Sequence, residues 1–130
     1  MSFKESAYTV SNFTLKLLGC LALISVMLVS CVKIDTPPAL EVKVLDQYND
    51  VVAGARVSLY TSLEEWSMLE NPVQVWKNTD QNGKVTFLNL QEVFYYVYVE
   101  KDTLNNIKEE IVTHQKLKVN IISTLEIHVN

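Results

Sequence analysis

From Leu40 onward, apolar and polar positions alternate with period two. Leu40, Val42 and Val44 alternate with Glu41, Lys43 and Leu45, and Ala55, Val57 and Leu59 with Arg56, Ser58 and Tyr60. Val73 and Val75 flank Gln74, and Val85 and Phe87 flank Thr86. Tyr95, Val97 and Val99 alternate with Tyr96, Tyr98 and Glu100. Leu117, Val119 and Ile121 follow, then Leu125, Ile127 and Val129. Successive side chains of a strand point to opposite faces, so each run predicts a strand with one buried face. Seven such runs describe an all-β, antiparallel sandwich. In the fifth strand Tyr95, Val97 and Val99 face the core, and Tyr96 and Tyr98 face outward. Turn-forming residues at 47–50, 80–83 and 102–106 separate the runs.

One segment has a different period. Ser62-Leu63-Glu64-Glu65 matches a capping box, and Leu63, Trp66 and Leu69 follow at helical spacing. Asn71-Pro72 ends the pattern, because the residue before Pro is pushed out of helical geometry. A short helical segment is therefore expected within residues 62–70. Residues 105–113 fit neither period and read as an irregular connection holding at most a short strand.

The first third of the chain is of another kind. Leu17 to Val29 is thirteen uncharged residues behind Lys16. A membrane-spanning helix needs ~20 apolar residues, so this is the size of a signal-peptide core. It runs into Leu28-Val29-Ser30-Cys31, which resembles the bacterial lipobox. The resemblance implies a diacylglyceryl group on the thiol of Cys31, cleavage between Ser30 and Cys31, and acylation of the new N-terminus. The domains are then residues 1–30, a lipoprotein signal peptide; residues 31–39, the lipidated cysteine and a Pro37-Pro38 tether; and residues 40–130, the sandwich. By resemblance to Gram-negative sorting, Val32 after Cys31 favours the outer membrane; a periplasmic or a surface-facing position stays open.

Splitting the chain changes its composition. The leader carries off Lys4, Lys16 and Glu5, which takes eleven basic and fifteen acidic residues to nine and fourteen, a net charge of −5. Nucleic-acid binding, which needs a basic excess, is excluded as an expectation. An acidic surface is not drawn to anionic headgroups either, so the lipid is what holds the protein at a membrane. Cys20 leaves with the leader and Cys31 carries lipid, so no disulfide and no cysteine-based metal site is expected.

The order of motifs resembles a known family. Val52-x-Gly54-Ala55-x-Val57-x-Leu59-Tyr60, then Thr79-Asp80-x-Asn82-Gly83-x-Val85-x-Phe87, then Tyr95-x-Val97-x-Val99 are similar to the carboxypeptidase regulatory-like domain. That is a transthyretin-like (prealbumin-type) sandwich common in secreted Bacteroidetes proteins. The resemblance implies a seven-stranded Greek-key sandwich of transthyretin-like or immunoglobulin-like form over residues 40–129. The Gly54-Ala55 step and the Thr79-to-Gly83 turn are its most specific parts. Where the family has Pro-Gly before the Tyr strand, this chain has Gln91-Glu92-Val93, so that turn differs in shape.

Chemistry is sparse. The zinc-bearing peptidase domain of that family is absent, and so is the signature of the hydroxyisourate hydrolase that shares the fold. His114 and His128 read as solvated surface residues, and no metal or other cofactor is expected. Glu64/Glu65 and Glu109/Glu110 are adjacent pairs whose side chains diverge. Asp80, Asn82 and Gly83 echo part of a calcium loop, but position twelve is Gln91 and a structural turn is the better reading. Trp66, Trp76, Tyr96 and Tyr98 are a candidate aromatic binding face for a glycan or an envelope protein. Asp102-Thr103-Leu104 matches a short Bacteroidetes O-glycosylation pattern, with Thr103 as acceptor. The expected protein is a non-catalytic, lipid-anchored envelope module, with a glycan- or peptide-binding part of an outer-membrane uptake system as the alternative.

Overall fold

The computed structural model describes residues 33–130. Ser30 and Cys31 lie outside the described residues, as does the whole of the expected leader. Asp35–Asn130 forms one compact unit. It contains β1 (Ala39–Leu45), β2 (Arg56–Tyr60), α1 (Leu63–Met68), β3 (Lys77–Asn78), β4 (Lys84–Phe87), β5 (Tyr96–Lys101), β6 (Leu104–Asn105) and β7 (Ile122–His128). The seven strands make two sheets, a three-stranded one in the order β4-β1-β7 and a four-stranded one in the order β3-β2-β5-β6.

Period-two burial builds the core. Leu40, Val42 and Val44 of β1 are fully buried and share one cluster with Val85 and Phe87 of β4 and Leu125 and Ile127 of β7. Val57 and Leu59 of β2 stand opposite Val99 and Val97 of β5 and enter the same cluster from the other sheet. Burying such side chains stabilises the fold by roughly 1.5–3 kcal/mol each before ordering costs. Tyr95 is buried just ahead of β5, and its hydroxyl accepts from the amide of Gln91 at 2.8 Å. That bond shapes the turn at Gln91-Glu92-Val93.

Three expectations are corrected. The sandwich is not wholly antiparallel, because β1 and β7 run parallel, from Ala39↔Ile122 to Leu45↔His128. Parallel neighbours need a long connection, and here nearly the whole domain lies between them. The expected strand at 73–76 is not a strand. Val75 is 79% exposed, and only Lys77–Asn78 pairs with β2, so the alternation there has no layer to bury it. The expected strand at 116–121 is a connection. Leu117 is buried, but its amide bonds to the Val93 carbonyl, and Asn120 turns the chain at φ 62°. The connection over 105–113 is irregular, with a single bridge between Val112 and Tyr96.

The helix starts as its sequence dictates. Ser62 Oγ accepts from the Glu65 amide at 3.2 Å, and Glu64 and Glu65 lie in the first turn, where the helix dipole favours acids. It ends before the Asn-Pro step, at Leu69 in the left-handed region (φ 54°), with Glu70 donating to the Glu65 carbonyl. The tether is shorter than the composition implies. Pro38 and Ala39 are buried, and the Pro38 carbonyl accepts from the amide of Leu90.

Candidate interaction face

The outward side of the four-stranded sheet is set by strand register. Arg56 pairs with Glu100 and Ser58 with Tyr98, while Tyr60 pairs with Tyr96, and all alternate with the core-facing Val57, Leu59, Val97 and Val99. Asn78 stands opposite Arg56, and Trp76 precedes it by two residues. The Arg56 guanidinium lies 4.5 Å from the centroid of the Trp76 ring. The same group is 3.6 Å from Glu100 Oε1, and Tyr98 donates its hydroxyl proton to Glu100 Oε2 at 3.2 Å. Trp76, Arg56, Glu100 and Tyr98 thus form one chain of contacts across β2, β5 and the residue just ahead of β3. An exposed ion pair of this kind contributes ~0–1 kcal/mol, so the chain orients side chains more than it stabilises the fold. Trp76 is 42% exposed, whereas Tyr96 and Tyr98 are half-buried.

Trp66 is not part of this face. It is 5% exposed, and its indole Nε1 donates to the Val97 carbonyl at 2.9 Å. Helix α1 packs on β2 and β5, and Ser58 and Tyr60 are buried although they alternate with the core residues. A short helix laid over one end of the sheet divides four aromatics of similar sequence character into one packed and three accessible. The ring of Tyr98 is partly withdrawn from water and lies beside the Glu100 carboxylate, and both effects raise its pKa above 10. Burial raises the pKa of Tyr60 in the same direction.

Asp80, Asn82 and Gly83 form the turn between β3 and β4. Asp80 Oδ1 accepts from the amides of Asn82 (2.8 Å) and Lys84 (3.0 Å), and Gly83 sits at φ 72°. The carboxylate is therefore engaged by backbone donors. Thr103 is exposed in the two-residue turn between β5 and β6, where Asp102 has φ 53°. His114 is exposed, and His128 Nε2 bonds to Asn49 Oδ1 at 2.9 Å. Among the described residues no three His, Cys, Asp or Glu side chains group as metal ligands would.

The sequence marked Thr79 and Asn106 only as members of turns, and both organise the packing around them. Thr79 is buried; its Oγ1 donates to the Val52 carbonyl at 2.6 Å and accepts from the Ala55 amide at 2.9 Å. Its backbone accepts from Gly54 and donates to Ala55. The Gly54-Ala55 step and the Thr79-to-Gly83 turn, remote in sequence, are thus bonded to each other. Asn106 is buried with its side chain bridging the Val99 amide and the Val97 carbonyl. Arg56 and Glu100 were visible as polar members of two alternating strands, but only the register makes them partners.

The described residues form a mostly-β, two-sheet sandwich with one short helix and no closed barrel. No family model matches it, and no curated protein does. Among solved structures it is similar to a variant of BcpA, the major pilin subunit of Bacillus cereus, at 16% identity and a TM-score of 0.39. The match covers 72% of this chain and 29% of the pilin chain.

Proposed function

We propose that this chain is a non-catalytic, lipid-anchored β-sandwich of the cell envelope, an accessory or interaction module. Its binding face is the outward side of the four-stranded sheet around Trp76, Arg56, Glu100 and Tyr98. The observation that carries the reading is Trp76, a large aromatic left 42% exposed and held by a cation over its ring. Tyr, Trp and Arg are the residue types that dominate binding energy at interfaces. The anchor is the Cys31 lipobox, and Val32 after it directs the protein to the outer membrane. The transthyretin-like reading is supported by the bonded pair of Gly54-Ala55 and Thr79 and by the division into sheets of three and four strands.

The second reading is a glycan- or peptide-binding module of an outer-membrane uptake system, favoured by the same exposed indole, since sugar rings stack on aromatic faces. A glycan and peptide array with the purified protein separates the two. Binding that Trp76→Ala abolishes at unchanged Tm supports the second reading; no binding on the array supports a protein partner. Fractionation of a Cys31→Ala variant tests the anchor. Normal maturation and membrane partition of that variant would overturn it. Thr103 is the proposed glycan acceptor, and intact mass of the mature protein from its native host, with and without Thr103→Val, decides it.

A further inference from the structure

Asn120 turns the chain just ahead of β7 and clamps the incoming tether. Its Oδ1 accepts from the Thr36 amide at 2.7 Å, and its own amide donates to the Thr36 carbonyl at 2.8 Å. Its Nδ2 donates to Asp35 Oδ1 at 3.0 Å. The tether is therefore held at Thr36, well before β1 begins. A groove of about 350 Å³ opens at this clamp, with Thr36 and Pro37 on one side and Leu88, Ile121 and Ile122 on the other. These three aliphatic side chains are 54%, 49% and 63% exposed. Single exposed aliphatics are ordinary; three around one groove mark an interaction surface.

Chain length says what lies beside it. Five peptide steps separate Cys31 from Thr36, a reach of at most ~17 Å. An acyl chain on Cys31 keeps the clamp, and the groove it borders, within that distance of the headgroups. A net charge of −5 on the mature chain gives no attraction to an anionic surface, so the contact must be apolar. Aliphatic side chains of a surface-bound protein sink into the boundary between headgroups and acyl chains.

We infer that Leu88, Ile121 and Ile122 rest in the lipid bilayer, and that the Asn120 clamp fixes this end of the sandwich against the membrane. The inference rests on the lipid-anchor reading of Cys31. It places the opposite end of β1, and with it the 46–50 loop, away from the membrane.

The test uses full-length protein matured in a bacterial host and reconstituted in vesicles of phosphatidylethanolamine and phosphatidylglycerol. A nitrobenzoxadiazole label is placed at Ile122→Cys and, separately, at Tyr48→Cys on the distal loop. Lipidated Cys31 has no free thiol, so the parent protein should not label and should float with the vesicles. A parent that labels, or that fails to float, overturns the anchor reading and this inference with it. With the anchor sound, the label at position 122 should brighten several-fold and be quenched by nitroxide lipids, while the label at 48 should do neither. Equal behaviour at the two positions overturns the inference and leaves the anchor standing. A label at 122 that brightens without nitroxide quenching means that a second copy covers the groove, which also overturns it. Asn120→Gly keeps the left-handed backbone but deletes the side-chain clamp. It should float normally and lose at least half of the quenching at 122; unchanged quenching would remove Asn120 from the mechanism.

Discussion

Asp46 and Asp80 close their loops with the same set of hydrogen bonds. Each side chain accepts from the amides two and four residues on, Tyr48 and Asp50 in one loop, Asn82 and Lys84 in the other. Each backbone amide donates to the carbonyl four residues on, and each carbonyl accepts from the residue three on. That third residue is in the left-handed region in both, Asn49 at φ 63° and Gly83 at φ 72°. The second loop also bonds to the strand that leads into the first, because the amide of Val44 in β1 donates to the Gly83 carbonyl. Asp46→Ala and Asp80→Ala should each destabilise by ~1–3 kcal/mol, because two amides lose a charged acceptor. Asp→Asn, which keeps one acceptor oxygen, should cost less. Gly83→Ala should cost at least ~2 kcal/mol, since it combines left-handed strain with a Cβ only 2.8 Å from the Val44 carbonyl. Urea denaturation measures all of these; an unchanged midpoint for Asp80→Ala would show that the loop closes without its carboxylate.

The two tryptophans should separate cleanly. Trp66→Ala removes a buried indole and should destabilise by ~3–5 kcal/mol. Trp76→Ala removes a half-exposed ring and one cation–π contact, a loss of ~1 kcal/mol or less. Thermal melts of both variants check this. Similar losses in the two would mean that Trp76 is a packing residue and would remove the proposed binding face.

Thr79→Val should be costly although it conserves shape. The Val52 carbonyl and the Ala55 amide would both be left buried without a partner, at ~1–3 kcal/mol each. Hydrogen exchange at the Ala55 amide should accelerate in step with the loss of global stability. Slow exchange in the variant would mean that water replaces the hydroxyl.

Stability should fall in alkali. Tyr60 and Tyr98 have folded pKa values raised above 10, chiefly by withdrawal of the rings from water, and for Tyr98 also by Glu100. Raised values mean that the folded state holds its phenolic protons longer than the unfolded chain. Their contribution is intact below pH 10 and is lost as the pH climbs from 10 through the folded values. Ultraviolet titration should show two late-ionising tyrosines, and Glu100→Gln should bring Tyr98 down. An unshifted Tyr98 in that variant would remove the carboxylate as a cause.

How much of this was legible in the chain depends on the range of the interaction. The inward faces of β1, β2, β4, β5 and β7 follow from alternation, because alternate side chains of a strand reach opposite faces whatever the topology. The start of α1 at Ser62 was also legible, being a local bond between a side chain and an amide three residues on. The two failed strands had the same local pattern. Val75 has no neighbouring layer to cover it, and Asn120 turns the chain to meet Thr36, so tertiary contacts overrode the period.

The candidate face shows the same division. Alternation marks Arg56, Tyr96, Tyr98 and Glu100 as outward residues and cannot say which of them meet. The β2–β5 register joins Arg56 to Glu100, and the placement of α1 takes Trp66 out of the face. The sequence by itself determined a set of two-faced strands and the start of α1, and it raised the expectation of a lipobox leader and a mature chain of −5 charge, because these are properties of composition and local spacing. Only the tertiary structure decided that the first and last strands run parallel, that Asn120 grips the tether, and that one tryptophan is buried while the other faces water. Those outcomes depend on pairings between residues far apart in the chain, and no local pattern carries them.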